Sequence, residues 1–433
     1  MRLKARPEDF RVVELFDPSF LGEGAYAIYR VVKTKRTTLE VLARLAQEAQ
    51  VEKRAIAYAG MKDRQGIAVQ HFSIEGGRRV DLREPGLVVR YVGTAARPVS
   101  PAASRGNAFE IVARSLDRED LVRMRENLAQ VRAIGLPNYF DDQRFGCLRH
   151  GQGFVARDLI EGRVEQGLRD LLAAPSPFDD PATGGFKASL RQAWGDFERC
   201  AKIARAREHF SLFRHLASNP RDFRGAFAFV AQRVRVLHLH AYQSFLWNRG
   251  LGSYLRGLVP PEERVFLRSD AGPLLAPRRL PPPLRARLEG LSFPLPSHDS
   301  VVPDPAVRRA LEETLTADGL TLDRLRIEGI PGFAFKAEER AAWLTPGHLR
   351  VRPAEPDDLA RRGWKVTLRF ELSRGSYATL LLKRLFAPLG ERRGRPQEGP
   401  SIRVSGDLTR SVLPAAPQRP SKPHPAQTRV PRP

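Results

Sequence analysis

Near its C-terminal end the chain carries its clearest pattern. Trp364, Val366, Leu368, Phe370 and Leu372 alternate with Lys365, Thr367, Arg369 and Glu371, the period-two signature of a half-buried strand. Ser373-Arg374-Gly375 breaks it, and Ser376 is placed to cap a helix running to Phe386. The first third is mixed. Thr37 and Thr38 can cap a helix over residues 39–50, and residues 54–60 and 67–74 read as two strands around a short polar loop. Residues 87–93 and 108–114 are further strands, the second with Phe109, Ile111 and Ala113 alternating. Leu121, Met124, Leu128 and Val131 recur at helical spacing, with Gly135 where that helix should stop.

From about Gln152 the texture turns helical, over residues 153–173, 197–217 and 226–258. A Pro- and Arg-rich stretch, residues 275–305 with Pro281-Pro282-Pro283, reads as long surface loops rather than core. The whole therefore predicts an α+β protein: one domain interrupted by another, with a helix-rich middle. Beyond Gly390 the tail is rich in Pro and Arg, with no acidic residue after Asp407, the composition of a disordered segment that adds non-specific RNA affinity.

Charge changes the picture. In 433 residues, 72 Lys+Arg stand against 49 Asp+Glu, a formal net charge of +23. Such self-repulsion is most simply explained by a polyanionic partner. There is no run of about 20 apolar residues for a membrane helix, and the start, MRLKARPEDF, lacks a signal-peptide core. Cys147 and Cys200 form no metal-ligand spacing and no disulfide framework, which fits a reducing cytoplasm. No H-E-x-x-H or C-x-x-C motif points to zinc, and no Gly-rich dinucleotide or Walker loop points to a cofactor.

Four polar segments carry the candidate chemistry. In the loop Ala59–Gly66, Lys62-Asp63-Arg64 sits between two glycines, and the flanking cations favour an ionised carboxylate. Taken alone, such a triplet reads as a solvated hairpin tip. Residues 138–146, Asn-Tyr-Phe-Asp-Asp-Gln-Arg-Phe-Gly, offer rings that stack on a base, amides that bond its edge and Arg144 for phosphate. Residues 373–379 make a strand-to-helix turn whose amides can meet a phosphate. The fourth is the N-terminal segment from Lys4 to Glu14.

Taken together and in order, these segments resemble the signatures of the TruD family of tRNA pseudouridine synthases. Residues 4–14 resemble K-x-x-P-E-D-F-x-V-x-E, residues 59–64 A-G-x-K-D-R, residues 138–146 N-Y-F-G-x-Q-R-F-G, and residues 375–379 G-S-F/Y-A-T. Weaker echoes lie at residues 106–109, 243–248 and 339–341. The resemblance implies a pseudouridine-synthase catalytic domain with a mixed, largely antiparallel sheet. Residues 1–154 and 348–390 would form it, an α+β TRUD domain would be inserted over 155–347, and a disordered tail would follow over 391–433.

It also implies that Asp63 is the catalytic nucleophile, or the base that removes a C2′ proton. Phe10, Asn138 and Tyr377 would contact the substrate, and Phe140 would pack over the target base. Lys4, Lys62 and Arg144 would hold phosphate or tune Asp63, and Glu14 would orient a neighbouring basic group. The substrate implied is uridine 13 of tRNA, handled with no metal and no cofactor, by a cytoplasmic monomer with no obligate protein partner and no membrane attachment. Two departures stand out: Asp141 where Gly is usual, expected to add a negative charge and to point harmlessly outward, and Met61 for Leu. The competing reading is a non-catalytic RNA-binding or RNA-chaperone protein that retains the fold, which the charge and the tail suit equally well.

Overall fold

The computed structural model describes residues 1–433 other than 149, 150, 152, 206, 208, 331, 390–402 and 405–433. Its centre is a twisted sheet whose principal strands are β1 (Phe10–Phe16), β2 (Tyr26–Thr34), β3 (Ile67–Glu75), β4 (Leu82–Glu84), β5 (Leu87–Ala95), β6 (Ser104–Leu116), β7 (Gly347–Val351) and β8 (Trp364–Ser373). Their spatial order is β7-β8-β6-β1-β3-β2-β5-β4. Neighbours run antiparallel except β1 and β3, which are parallel with Val12 opposite Ala68. This is the mixed, largely antiparallel sheet expected, in an α+β chain. The alternation is realised over 366–372, with Val366, Leu368, Phe370 and Leu372 buried, while Trp364 is half-buried before a register shift against β6.

Cα partners across a ladder share a face, so the register defines what one side of the sheet displays. Phe10, Val12 and Glu14 stand opposite Ile111, Phe109 and Asn107, which stand opposite Leu368, Phe370 and Leu372. Across the parallel junction the same face continues through Ala68 to Lys33, and through Gln70 to Val31. Helix α1 (Thr38–Ala49) covers one end of this face, placing Val41 and Leu45 on Tyr29, Val31, Phe72 and Val89. Its start is set by a capping box, Thr37 with Glu40. Helices α2 (Arg118–Ile134) and α3 (Ala378–Leu385) cover the other end, packing Met124, Val131, Leu381 and Leu385 into the core with Ile111, Ala113 and Leu368. Between the two coverings lies a strip carrying Lys33, Gln70, Phe10, Glu14, Asn107 and Phe109.

Several expectations need correction. Strands β1 and β2 were not anticipated; over residues 26–34 the sequence does not alternate because Ile28 is buried on the face opposite Tyr29 and Val31, apolar Val32 is half-buried, and the buried position 33 is a Lys. The long middle helices are broken: Val155–Ile160 stops before Gly162, at φ +78°, and Val164–Ala173 restarts after it. Phe197–Ile203 and Phe210–Ser218 are separate, and the third helix begins only at Gln232. Residues 275–305 are not surface loops. Leu274–Pro277 pairs with Arg264–Leu267, the proline run opens a helix over Pro282–Glu289, and Ser292–Leu295 pairs with Glu338–Ala341. Proline suits a first helical turn because no backbone donor is needed there, and Leu288 and Phe293 are fully buried. The last helix starts at Ala378 with Tyr377 as its cap residue and no side-chain cap, while Ser376 bonds Ser373 instead.

Buried side chains of the middle segment fall into two clusters. Most of the helices from Val155 to Phe227 pack together with residues 315–335. Trp247, Leu251, Leu274, Leu288, Phe293 and Leu311 share the core beneath β6 and β8. Among the described residues no helix is long and apolar enough to cross a membrane, and no His/Cys/Asp/Glu group could hold a metal ion. The expectation for 391–433 falls outside the described residues, except that Arg403–Val404 pairs with Arg2–Leu3.

Candidate active site

The loop after Ile56–Tyr58 folds back over the uncovered strip. Gly66 allows this by close approach rather than by a turn: a Cβ there would lie 2.3 Å from the Phe10 carbonyl oxygen. Buried Thr38 and Gln70 hold the loop from below. Thr38 Oγ1 accepts from the Lys62 amide at 2.9 Å and donates to Gln70, whose amide reaches the Gly60 carbonyl. Lys33, fully buried at the end of β2, donates through Nζ to the carbonyls of Asp63 at 2.5 Å, Arg36 at 2.7 Å and Lys62 at 3.2 Å.

This scaffold presents the Asp63 carboxylate. One oxygen accepts from the Gln65 amide at 3.1 Å, a turn made by the side chain itself, and the other pairs with the Lys4 ammonium. Burial alone would raise the Asp63 pKa. The Lys4 charge and hydrogen bond, the Gln65 amide and the Lys33 charge outweigh it and hold the group below its ordinary value. Lys4 lies 4.4 Å from the centre of the Phe10 ring, and Phe10, Phe109 and Phe370 form an aromatic floor with centroid spacings of 6.2 and 5.3 Å. Lys62 turns away from Asp63 to bond Asn107 and stands 3.9 Å from Glu14. Burial lowers its pKa, with the Glu14 charge opposing. Glu14 in turn accepts the His71 amide at 2.8 Å.

The second half of the site grows from residues 138–142. Asn248 clamps Phe140 through both backbone groups, at 2.9 and 2.8 Å, and Trp247 meets the ring edge-on at 5.4 Å. Tyr377 stands edge-to-face with Phe140 at 6.3 Å. The Arg340 guanidinium lies over Phe140, 4.2 Å from its centre, and Arg144 flanks the same ring at 5.2 Å. Arg340 is fixed by donating from Nε and Nη2 to the backbone oxygen and Oδ1 of Asn138, each at 2.9 Å. Asn138 also donates to the Ala341 carbonyl, leaving one amide hydrogen and one lone pair for another partner.

Asp141 does not point outward. It is buried and pairs with Lys383 and Thr379, so its charge is neutralised within the protein. Burial would lower the Lys383 pKa, but Asp141 and Asp142 raise it overall.

Both halves meet at one end of the β6–β8 ladder. Asn107 and Gly106 pair with Leu372 and Ser373. Lys62, beside Asp63, bonds Asn107, while the chain beyond Ser373 brings Gly375 against Arg340 and Tyr377 against Phe140. Lys4, Phe10, Glu14, Lys62 and Asp63 thus form one group, and Asn138, Phe140, Arg144 and Tyr377 another beside it. Sequence reasoning passed over Lys33, which carried no signal beyond an odd cation in an apolar run. Asn107, Trp247, Asn248 and Arg340 lay in the three weaker echoes and were given no role. The arrangement offers an ionised carboxylate paired with Lys4 in one group, and an edge-to-face aromatic pair under the Arg340 guanidinium in the other.

The chain matches the model of the family described as tRNA pseudouridine synthase D (TruD) over residues 1–385. It is 30% identical over 395 residues to the probable tRNA pseudouridine synthase D 1 of Methanococcus maripaludis, covering 89% of this chain and 99% of that protein. It is 26% identical to the tRNA pseudouridine synthase D of Aquifex aeolicus, covering 89% and 98%. The crystal structure of a putative tRNA pseudouridine synthase D from Methanosarcina mazei superposes with a TM-score of 0.64 at 25% identity, covering 88% of this chain and 92% of that one.

Proposed function

Because the chain belongs to the TruD family of tRNA pseudouridine synthases, an isomerase family, we propose that it converts uridine 13 of tRNA to pseudouridine with Asp63 as the nucleophile. The observation that carries this reading is the Asp63 carboxylate itself: largely enclosed, paired with Lys4, and held ionised against the cost of burial. A carboxylate that stays ionised in a sheltered site is in the form that can attack carbon, with little water there to compete for the reacting sugar.

In this reading an Asp63 oxygen bonds to C1′ as the C1′–N1 bond breaks and its electron pair leaves with the base. The base turns, C5 bonds to C1′, and the Asp63 oxygen is released. The C5 proton departs and N1 gains one, so product and substrate have the same composition and redox state. Phe140 and Tyr377 confine the base, and the remaining amide hydrogen and lone pair of Asn138 meet its edge. Phe10 supports the sugar side beneath Lys4. Arg144 takes a phosphate, and Lys62 keeps Glu14 and Asn107 in register beneath the loop. The protein works as a cytoplasmic monomer.

Asp63→Asn keeps the shape and removes the charge. Pseudouridine mapping of tRNA treated with this variant should show no conversion, with RNA affinity within about threefold of the parent. Ordinary turnover by the variant would remove Asp63 from the mechanism.

A further inference from the structure

We propose that Arg340 is a catalytic residue for this reaction, holding the negative charge that the uracil ring carries once it has left C1′. The proposal rests on the reading above and supplies what that reading lacks, a cation on the base side of the breaking bond. When the C1′–N1 pair leaves with the base, charge spreads over N1 and the two carbonyl oxygens. Asp63 and its lysines stand on the sugar side. A preorganised cation that meets charge only as it develops lowers the barrier more than one that meets the neutral base equally well.

Arg340 has the features of such a group. Its guanidinium is enclosed by rings, 4.2 Å from the centre of Phe140, 5.4 Å from Trp247 and 6.0 Å from Tyr377. Two of its nitrogens are committed to Asn138, which fixes the plane. Among the described residues no carboxylate pairs with it, although a buried cation without one is costly. The charged group felt there is a second cation, Arg144, over the same ring. Burial, partly offset by Tyr377, brings the Arg340 pKa down to about 10, with Arg144 pushing the same way. It therefore remains a donor, not an acid, at neutral pH. Its Nη1 donates to no described residue and lies 3.3 Å from where a Cβ would stand at Gly375, whose φ is +81°. The glycine leaves the Nη1 side of the guanidinium without a side chain against it, beside the edge-to-face pair Phe140 and Tyr377.

In the step, Arg340 Nη1–H donates to a uracil carbonyl oxygen as the C1′–N1 bond breaks. No proton is transferred. When C5 bonds to C1′ the charge on the ring is discharged and the hydrogen bond weakens, which lets the product go.

The test compares tRNA containing uridine with tRNA containing 5-fluorouridine at the target, because fluorine stabilises the departing base without help from the protein. For Arg340→Met, single-turnover loss of the N-glycoside should fall by about 10²–10³ on uridine RNA, with RNA affinity within about threefold. On 5-fluorouridine RNA the deficit should shrink at least about tenfold, and Arg340→Lys should recover part of the rate on uridine. A deficit equal on both substrates, in both variants, would mean that Arg340 only supports Phe140 and would overturn the proposal, as would no deficit at all. Asp63→Asn run in parallel separates the two readings, since activity in that variant would defeat the nucleophile assignment whatever Arg340 does.

Discussion

Lys4 and Asp63 form an enclosed ion pair across 59 residues of sequence, and the lysine that makes it is held in a left-handed backbone conformation at φ +54°. A non-glycine residue there costs on the order of 1 kcal/mol. The chain accepts that cost where it aims an ammonium group at a carboxylate, over the face of Phe10.

Replacing Lys4 by Met should therefore act through Asp63. Burial then has less to oppose it, and the carboxylate pKa rises. In the parent, the lowered Asp63 pKa contributes stability that is present above the ordinary carboxylate pKa and lost as pH falls through the folded value. In Lys4→Met that contribution shrinks and the acid limb of the rate profile moves toward neutral pH. Single-turnover rates against pH read this directly, and an unmoved acid limb would show that Lys4 does not tune Asp63.

Lys33 sets the opposite limb. Burial brings its pKa down to about 8, with Asp63 and Glu40 opposing and Lys62 assisting. Because the folded value is below that of a free lysine, deprotonation above about pH 8 relieves a buried charge, so global stability gains from this group as pH rises. Activity should do the reverse. A neutral amine has two hydrogens for three carbonyls, and the Asp63 loop loosens. The rate should fall above about pH 8 while the melting temperature shows no matching loss from Lys33, and Lys33→Met should lose the rate while abolishing that limb.

Phe140→Leu retains bulk but removes the ring. With one base–aromatic contact worth roughly 1–3 kcal/mol, kcat/KM on tRNA should fall roughly 5- to 150-fold. Circular dichroism melts would show the fold intact. A change below twofold would place the base elsewhere.

Asp141→Asn strands the Lys383 ammonium beside partly exposed Asp142. Breaking a buried pair costs about 3–5 kcal/mol. The surviving Asp142 contact puts the expected loss at or below the lower end, measured by urea unfolding. Adding Lys383→Met should recover much of it, and a double variant worse than the sum of the two singles would refute the pairing.

Binding should weaken steeply with salt, since a chain of net charge +23 displaces counterions from RNA. Filter binding from low to physiological salt measures the slope, and a flat response would contradict a backbone-dominated interface.

Much of the fold was legible because its signals are local. The alternation of Trp364–Leu372, the Thr37 cap and the Gly135 stop each depend on a few neighbouring residues. What escaped depends on the far side of the chain. Residues 26–34 do not alternate in sequence because Ile28 is buried on the face opposite Tyr29 and Val31 while Lys33 occupies a buried position, and Lys33 is tolerated there only because the Arg36 carbonyl and two carbonyls of the distant Asp63 loop meet it. The proline run at 281–283 reads as a breaker unless a core waits for the Leu288 helix that it starts. At the site, motif order singled out Asp63, Phe140 and Tyr377. It could not reveal that Asn138 commits one lone pair of its side-chain amide to Arg340 and one hydrogen to the Ala341 carbonyl, or that Asp141 turns inward to Lys383.

The strand Trp364–Ser373 comes near the end of the described chain yet lies between Ser104–Leu116 and Gly347–Val351. Until translation releases it, both neighbours keep open hydrogen-bonding edges, the kind of surface chaperones shield. Tyr377 and Gly375 also arrive with it. A chain made only through Gly347–Val351 therefore leaves an inner position of the sheet vacant and Phe140 without Tyr377, so the two groups of the site come together only once this strand has docked.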